Sequence, residues 1–229
     1  MSITTSALTR GTAIAAAFSG LIFIGIQFIH PADEIASLAT QMWVTVHILS
    51  FGMAVLGLIG LTGLYLHQCK QVGVLGLIGY VMFAFFFVLQ SAFNFAEAFI
   101  APLIAKDAPQ LAGDFVGLFG RHPAVTDLGP LAALPAVGGA LYVIGALVFG
   151  IAILRARILS RGAGILLIVA AALTPVAGLL PHTIERMAAI PMGLALIWLG
   201  YSLWSVQRKN TAQARLSQQA ARLHQTPTI

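Results

Sequence analysis

The chain has 229 residues, of which 59% are hydrophobic and only 8% are charged, and its formal net charge is +5. A water-soluble domain carries roughly a quarter charged residues, so this composition excludes a soluble globular fold. The lysines and arginines flank hydrophobic stretches, which indicates an orientation signal and not a nucleic-acid-binding surface. We therefore predict an all-α integral membrane protein.

Six apolar stretches follow one another along the chain, and a membrane-spanning helix needs about 20 such residues. They cover residues 11–29, 41–66, 72–105, 131–154, 165–180 and 187–206. The pattern predicts a six-helix transmembrane domain over residues 1–207 and a polar, basic cytoplasmic tail over residues 208–229. Prolines in the last three stretches, Pro135, Pro175 and Pro191, predict kinks. Glycines predict close packing of the second and fourth helices; they are Gly57, Gly60, Gly63, Gly138, Gly139, Gly145 and Gly150.

The positive charges predict the orientation of the chain. With six spans, three basic residues fall on one side of the membrane: Lys106, Arg121 and Arg186. The other nine fall on the opposite side: Arg10, Lys70, Arg155, Arg157, Arg161, Arg208, Lys209, Arg215 and Arg222. Because cytoplasmic loops carry the excess of Lys and Arg, both termini are predicted to be cytoplasmic, in a bacterial-type plasma membrane. Aromatic anchors are expected at the outer end of the second span, Trp43, and at the inner end of the sixth, Trp198, Tyr201 and Trp204.

Two ionisable residues lie inside apolar stretches, where burial is costly and indicates a functional site. At 1.5 Å per residue, Glu97 lies about 13 Å and His47 about 9 Å from the outer ends of their helices. The four- and three-residue spacing of Gln90, Asn94 and Glu97 places them in one stripe, and Tyr65 follows His47 by five full turns. We therefore predict an outward-facing polar pocket in the outer leaflet, lined by these five residues, that binds a small ligand, a lipid or a metal ion.

The residue types near this level include the usual ligands of zinc or another transition metal, two or three imidazoles with a carboxylate. The candidate set is His47, Glu97 and His182, with His122, Glu185 and His30 as outer candidates. The alternative without a metal is a neutral Glu97 that hydrogen-bonds His47, Asn94 or a water and holds the bundle together. A single b-type haem between His47 and His182 is a further alternative.

Three other functions rest on the same residues. Glu97 and His47 could act as acid and base of an enzyme with a lipid-like substrate, although no nucleophile or phosphate-loop motif occurs. The polar stripe could pair with another chain, in a homo-oligomer or as an accessory subunit of a membrane complex. A transporter is less well supported, because the inner halves of the spans hold few polar residues. The expected partners include membrane lipids and exclude nucleic acid.

The longest connection, residues 106–129, contains Phe115 with Leu118 and Phe119 three and four positions later. This spacing predicts a short helix on the membrane surface, which would serve as a lid over the site or as an interfacial wedge.

Overall fold

The computed structural model describes residues 4–120, 123–180 and 182–224, and this part of the chain consists of helices joined by short connections, with no strand. The predicted all-α class is confirmed. A π-helical segment, Ala96–Ile100, joins α3 to α4, and a 3₁₀ turn, Gly129–Ala133, precedes α6. The α-helices are α1 Thr5–Ile29, α2 Ile35–Leu38, α3 Gln41–Phe95, α4 Ala101–Asp107, α5 Pro109–Gly120, α6 Leu134–Ala156, α7 Arg161–Ala177, α8 His182–Met187 and α9 Ala189–His224.

Four helical segments within the described ranges are long and apolar enough to cross a membrane. By the length and composition of its helices, the chain is therefore a helical membrane protein. A fifth apolar helix, Arg161–Ala177, is shorter. The four long segments are Thr5–Ile29, Gln41–Asp107, Gly129–Ala156 and Glu185–Ala214.

The segment Gln41–Asp107 is a hairpin and not one straight helix. Its backbone leaves helical geometry at Gln68 (φ −129°, ψ 16°) and at Gly73 (φ 57°, ψ −153°). The positive φ explains the glycine, since other residues rarely adopt it. Beyond this reversal the two halves run back along each other, and the rings of Tyr65 and Tyr80 stack with centroids 4.4 Å apart.

Small residues let the helices approach closely, as predicted for several of the glycines. A Cβ atom at Gly60 would lie 2.6 Å from the backbone of Ala16 in α1. A Cβ atom at Gly145 in α6 would lie 2.6 Å from the backbone of Phe83 in α3. Gly57, Gly63 and Gly150 face their neighbouring helices with similarly little space.

The predicted proline kinks are wrong for two of the three positions. Pro135 lies in the first turn of α6, and Pro191 is the third residue of α9. Proline is tolerated in a first turn, where its missing N–H has no intrahelical acceptor. Pro175 is inside α7, two residues before its end.

The helix α9 runs unbroken past Gln207 to His224, so the predicted domain border is not a structural break. Residues 208–224 of the predicted tail therefore continue α9 as helix. Its Leu216 is exposed, consistent with a surface position.

The long helices pack in a closed ring. The helix α1 lies between α3 and α9, α3 packs on α6, α6 on α7, and α7 on α9. The core of this ring is apolar, and its fully buried residues include Leu61, Phe83, Phe149, Leu167 and Leu196. Large apolar side chains are also exposed along the outer surfaces of α1, α3 and α6, as a lipid-facing surface requires.

Candidate functional site

The π-helical segment positions Glu97. The N–H of Ala101 donates to the carbonyl of Ala96, five residues earlier, which widens the helix at this point. Such segments are rare and frequently occur at functional sites. The carbonyl of Glu97 accepts a hydrogen bond from the indole Nε1 of Trp43 at 2.8 Å, and Glu97 is 5% exposed. The backbone of Glu97 is thereby held against the first turn of α3, and the residue is buried.

His47 and Glu97 are in direct contact, which confirms the proximity expected from their depths. Nε2 of His47 lies 3.3 Å from Oε2 of Glu97, and the histidine is 1% exposed. Nδ1 of His47 lies 2.8 Å from the carbonyl of Trp43. A carbonyl can only accept, so Nδ1 carries a proton. A hydrogen bond between Nε2 and Oε2 would then need one further proton, held either by a carboxylic acid that donates to a neutral imidazole or by an imidazolium that donates to a carboxylate.

Trp43 is part of this site and not an aromatic anchor at the membrane surface, so that prediction is wrong. It is fully buried, and its ring lies over the His47 imidazole with centroids 4.1 Å apart. It belongs to a small core formed with Leu38, Ala101, Ala112 and Val116. The four-residue spacing of Trp43 and His47, which places them on one helix face, is the sequence signal for this contact.

A chain of ring and polar contacts leads from the pair to α8. The His30 and His47 rings meet edge to face with centroids 5.0 Å apart. Nδ1 of His30 lies 3.9 Å from Oδ1 of Asp33. Oδ2 of Asp33 accepts a hydrogen bond from Nη2 of Arg186 at 2.7 Å. The sequence predicted His30 as an outer candidate but missed the contact of Asp33 with Arg186, because 153 positions separate them.

The other predicted pocket residues lie in three different places. Asn94 is buried one turn before Glu97, and its Nδ2 has no hydrogen-bond partner among the described residues. Gln90 lines a neighbouring cavity and not the pair. Tyr65 stacks on Tyr80, and eighteen residues of helix place it about 27 Å from His47. The predicted pocket lined by all five residues is therefore not a single space.

The metal and haem predictions gain no support. Within the described ranges, no group of three or more His, Cys, Asp or Glu residues is arranged to hold a metal ion. His122 lies outside the described residues. His182 begins α8, but its side chain is not among those described, so its contact with His47 remains a prediction. Glu185 lines the neighbouring cavity.

A cavity of about 440 Å³ lies inside the ring, beside the pair. This volume falls within the range of about 300–1,000 Å³ that is typical of small-molecule sites. Its walls are mainly apolar and include Phe23, Met53, Phe86, Phe93, Phe119 and Tyr142. Its polar lining residues are Gln27, Gln90, Thr174, Glu185 and Arg186.

Two glycines predicted to serve helix packing instead leave room for this cavity. A Cβ atom at Gly138 or at Gly139 would meet no heavy atom within 4 Å, and both residues line the space. Arg186 connects the cavity to the pair, because it lines the first and bonds Asp33 in the chain leading to the second.

The helix α5 covers this end of the ring, which confirms the short helix predicted from the spacing of its apolar residues. The rings of Phe115 and Phe119 pack on Phe93, with centroids 4.8 and 4.6 Å away. Leu118 and Phe119 also line the cavity. The helix therefore closes over both the cavity and the core around Trp43.

Asp114 joins α5 to the following loop. Its Oδ2 accepts from the N–H of Thr126 at 2.7 Å, and its Oδ1 accepts from Nε2 of Gln110 at 3.0 Å. The hydrogen bonds from Thr126 and Gln110 favour the carboxylate and lower the pKa of Asp114 to about 2.

No family model matches the chain, and no match to it was found among curated proteins or solved structures.

Proposed function

We propose that this chain is a six-span plasma-membrane protein, with both termini in the cytoplasm, that binds a single-chain amphiphile in the outer-leaflet cavity. The observation that carries the proposal is the cavity itself, whose walls are apolar and whose charged lining residues, Glu185 and Arg186, belong to one element, α8. An amphiphile would place its polar head beside α8 and its apolar chain between the phenylalanines.

The depths of the lining residues support this orientation of the ligand. Gln27 lies two residues before the end of α1, at the same end of the ring as α8. Met53 lies twelve residues after the start of α3, about 18 Å along the helix. The cavity thus extends from polar groups at the end of the ring into the apolar interior, as the two parts of an amphiphile require.

The hairpin supports six spans. A straight helix of the 67 residues in Gln41–Asp107 would be about 100 Å long, more than three times the hydrocarbon thickness of about 30 Å. Folded at Gln68 and Gly73, it supplies two spans. The 17 residues of α7 are about 25 Å long, and this helix closes the ring between α6 and α9. Together with α1, α6 and α9, these elements give six.

Binding from one side is better supported than passage through the ring or catalysis. Beneath the cavity the interior is filled by fully buried apolar side chains such as Leu61, Phe83 and Phe149. Neither His47 nor Glu97 lines the cavity, so an acid–base reaction on a ligand held there has no geometric support. In this proposal His47 and Glu97 instead form a buried polar contact that stabilises the helices beside the cavity.

Photochemical crosslinking tests the proposal. A long-chain fatty acid carrying a diazirine near its terminal methyl group is added to the protein in lipid nanodiscs, and labelled residues are mapped by mass spectrometry. We expect labels on cavity-lining residues such as Met53, Phe86 and Tyr142. Gly138→Leu should abolish this labelling, because the new side chain points into space that is open in the wild type.

Gly25→Leu is the matched control, because a Cβ atom there also meets nothing within 4 Å but Gly25 is exposed and does not line the cavity. It should label as the wild type does. Labels confined to the lipid-facing surface, or unchanged cavity labels in Gly138→Leu, would contradict the proposal. Stoichiometric zinc in the purified protein with an unlabelled cavity would favour the metal alternative.

A further inference from the structure

At the opposite end of the ring, α1 and α9 border a groove of about 470 Å³. Two arginines, one from each helix, converge on it: Arg10 and Arg208. Thr211, Ala212 and Leu216 complete its lining. The guanidinium of Arg10 lies 5.7 Å from the ring centroid of Trp204, at cation–π distance.

The spacing of the two arginines is set by contacts between the helices. Oγ of Ser6 lies 3.4 Å from Oγ1 of Thr211, joining α1 to α9 beside the groove. Farther along, a Cβ atom at Gly200 in α9 would lie 2.5 Å from the carbonyl of Ala13 in α1. The arginines are therefore presented by two closely packed helices and not by loose segments.

The charge of this end is uncompensated by the chain. Neither residues 1–32 nor residues 186–229, which include all of α1 and α9, contain an Asp or Glu. Within the described residues, no ion pair joins Arg10 or Arg208 to a carboxylate. Two guanidinium groups in one groove repel each other, so their arrangement favours an anion from outside the chain.

We propose that this groove binds the phosphate of an anionic phospholipid headgroup. Arginine suits this role because its planar fork of donors matches phosphate oxygens. Trp204 precedes Arg208 by one helical turn and, with Trp198 and Tyr201, is exposed. These rings mark the level of the lipid headgroups on α9, as aromatic belts do at membrane interfaces. A lipid headgroup is therefore held at the height of the arginines, whereas a free phosphate ion is not.

Assignment to the cytoplasmic leaflet rests on the orientation in the proposed function, but the binding itself does not. The same groove would bind the same lipid in either leaflet. Failure of the lipid test below would leave the outer cavity and its ligand unaffected.

Native mass spectrometry of the purified protein, titrated with phosphatidylglycerol or with zwitterionic phosphatidylcholine, tests the proposal. We expect the anionic lipid to bind more tightly. Each arginine near an anionic headgroup contributes about fivefold in affinity, so Arg10→Gln/Arg208→Gln should weaken phosphatidylglycerol binding about 25-fold. Arg155→Gln/Arg161→Gln removes the same charge from the same end outside the groove and should change it less than about threefold.

Equal affinities for the two lipids, or equal losses in the two double variants, would overturn the proposal. So would complete displacement of phosphatidylglycerol by inorganic phosphate at matched concentration, because the groove would then be a site for the free anion. If the double glutamine variant fails to fold, Arg10→Lys/Arg208→Lys takes its place. This variant keeps the charge but lacks the planar fork of donors, so its affinity for phosphatidylglycerol should fall by less than 25-fold. An affinity equal to that of the wild type would contradict phosphate recognition by arginine.

Discussion

Nε2 of His47 lies 3.3 Å from Oε2 of Glu97, and Nδ1 of the same imidazole already donates to the carbonyl of Trp43. A hydrogen bond across this contact would therefore need one proton that either Nε2 or Oε2 carries. The contact can therefore be made in two charge states without moving a heavy atom. A group that replaces the carboxyl must still offer a hydrogen to Nε2 if the contact is to survive. Removing the donor leaves a buried nitrogen without a partner.

Variants of Glu97 test this account at the level of stability. In Glu97→Gln the amide N–H₂ can donate to Nε2, so thermal stability should stay close to that of the wild type. In Glu97→Leu the nitrogen is orphaned, which should lower the free energy of unfolding by about 1–3 kcal/mol. His47→Leu/Glu97→Leu removes both partners and should be less destabilised than the sum of the two single changes.

The measurement is thermal unfolding of five proteins in one detergent: the wild type, Glu97→Gln, His47→Leu, Glu97→Leu and the double leucine variant. All but Glu97→Gln form a double-mutant cycle. Additive single changes would show that the two side chains do not interact. Equal stability of the Gln and Leu variants would show that the hydrogen bond contributes nothing to folding.

The contact between His47 and Glu97 could be predicted from the sequence, but the residues around it could not. Depth alone brought His47 and Glu97 to the same level, because each lies a countable number of residues from a helix end. It could not show that Tyr65 is five turns away along the same face, since a shared face does not imply a shared level. The bond between Asp33 and Arg186 depends on how distant helices meet, which no local spacing encodes.

The helix α5 shows how an element outside the ring of long helices is held in place. One of its faces packs on Trp43 and Phe93, and Asp114 ties it to the loop that follows. The carboxylate form of Asp114 is the one that accepts both hydrogen bonds. Its pKa is lowered to about 2 from an ordinary 3.8, so the folded helix binds a proton less readily than the unfolded chain does.

The stability that Asp114 contributes should be present above about pH 4 and lost as the pH falls toward 2. Trp43, under α5, reports this change when the other two tryptophans are replaced by phenylalanine. Its emission should shift to the red and its quenching by acrylamide should rise between these pH values. In Asp114→Asn the exposure of Trp43 should already be higher at neutral pH and should change little with acid.

Asp107→Asn is the matched control, because Asp107 is exposed at the end of α4 and belongs to the neighbouring surface. It should follow the wild-type titration. If the Trp43 emission of the wild type does not change down to pH 2, or if Asp107→Asn abolishes the change, Asp114 does not hold α5 in place.

Some helices and turns could be predicted from the sequence and others could not, for physical reasons. The spacing of Phe115, Leu118 and Phe119 gave α5, because one apolar face on a short polar segment is a local property. The burial of Trp43 was missed, because an indole at a helix end is equally suited to an interface. The widened turn at Glu97 was missed as well, because no pattern in its residues, AEAFI, distinguishes a π-helical from an α-helical turn.

At the scale of the whole molecule, the two ends of the ring differ in chemistry. One end holds the cavity, the buried pair and the cover formed by α5, and the other holds the basic groove between α1 and α9. Composition predicted a membrane protein because lipid is the only solvent for so apolar a chain. It could not predict the cavity, which exists where Gly138 and Gly139 face open space and not a neighbouring helix.

Which end faces outward is tested by the accessibility of single cysteines in a Cys69→Ser background, which removes the one native thiol. A membrane-impermeant maleimide is added to intact cells. Cysteines that replace Glu34, Val125 and Leu179 should react, since these exposed residues lie in connections at the cavity end. Cysteines that replace Gln71 and Ala214 should react only after the cells are opened.

The position at Gln71 decides the number of spans. It lies at the reversal of the hairpin, three residues after Gln68, so it is cytoplasmic only if Gln41–Asp107 crosses the membrane twice. Reaction of Gln71→Cys in intact cells together with Glu34→Cys would place the hairpin tip outside and reduce the count. Reversal of every position would keep six spans but invert the molecule, against the nine-to-three excess of Lys and Arg at the basic end. The cavity would then open to the cytoplasmic leaflet, and a ligand would have to reach it from inside the cell.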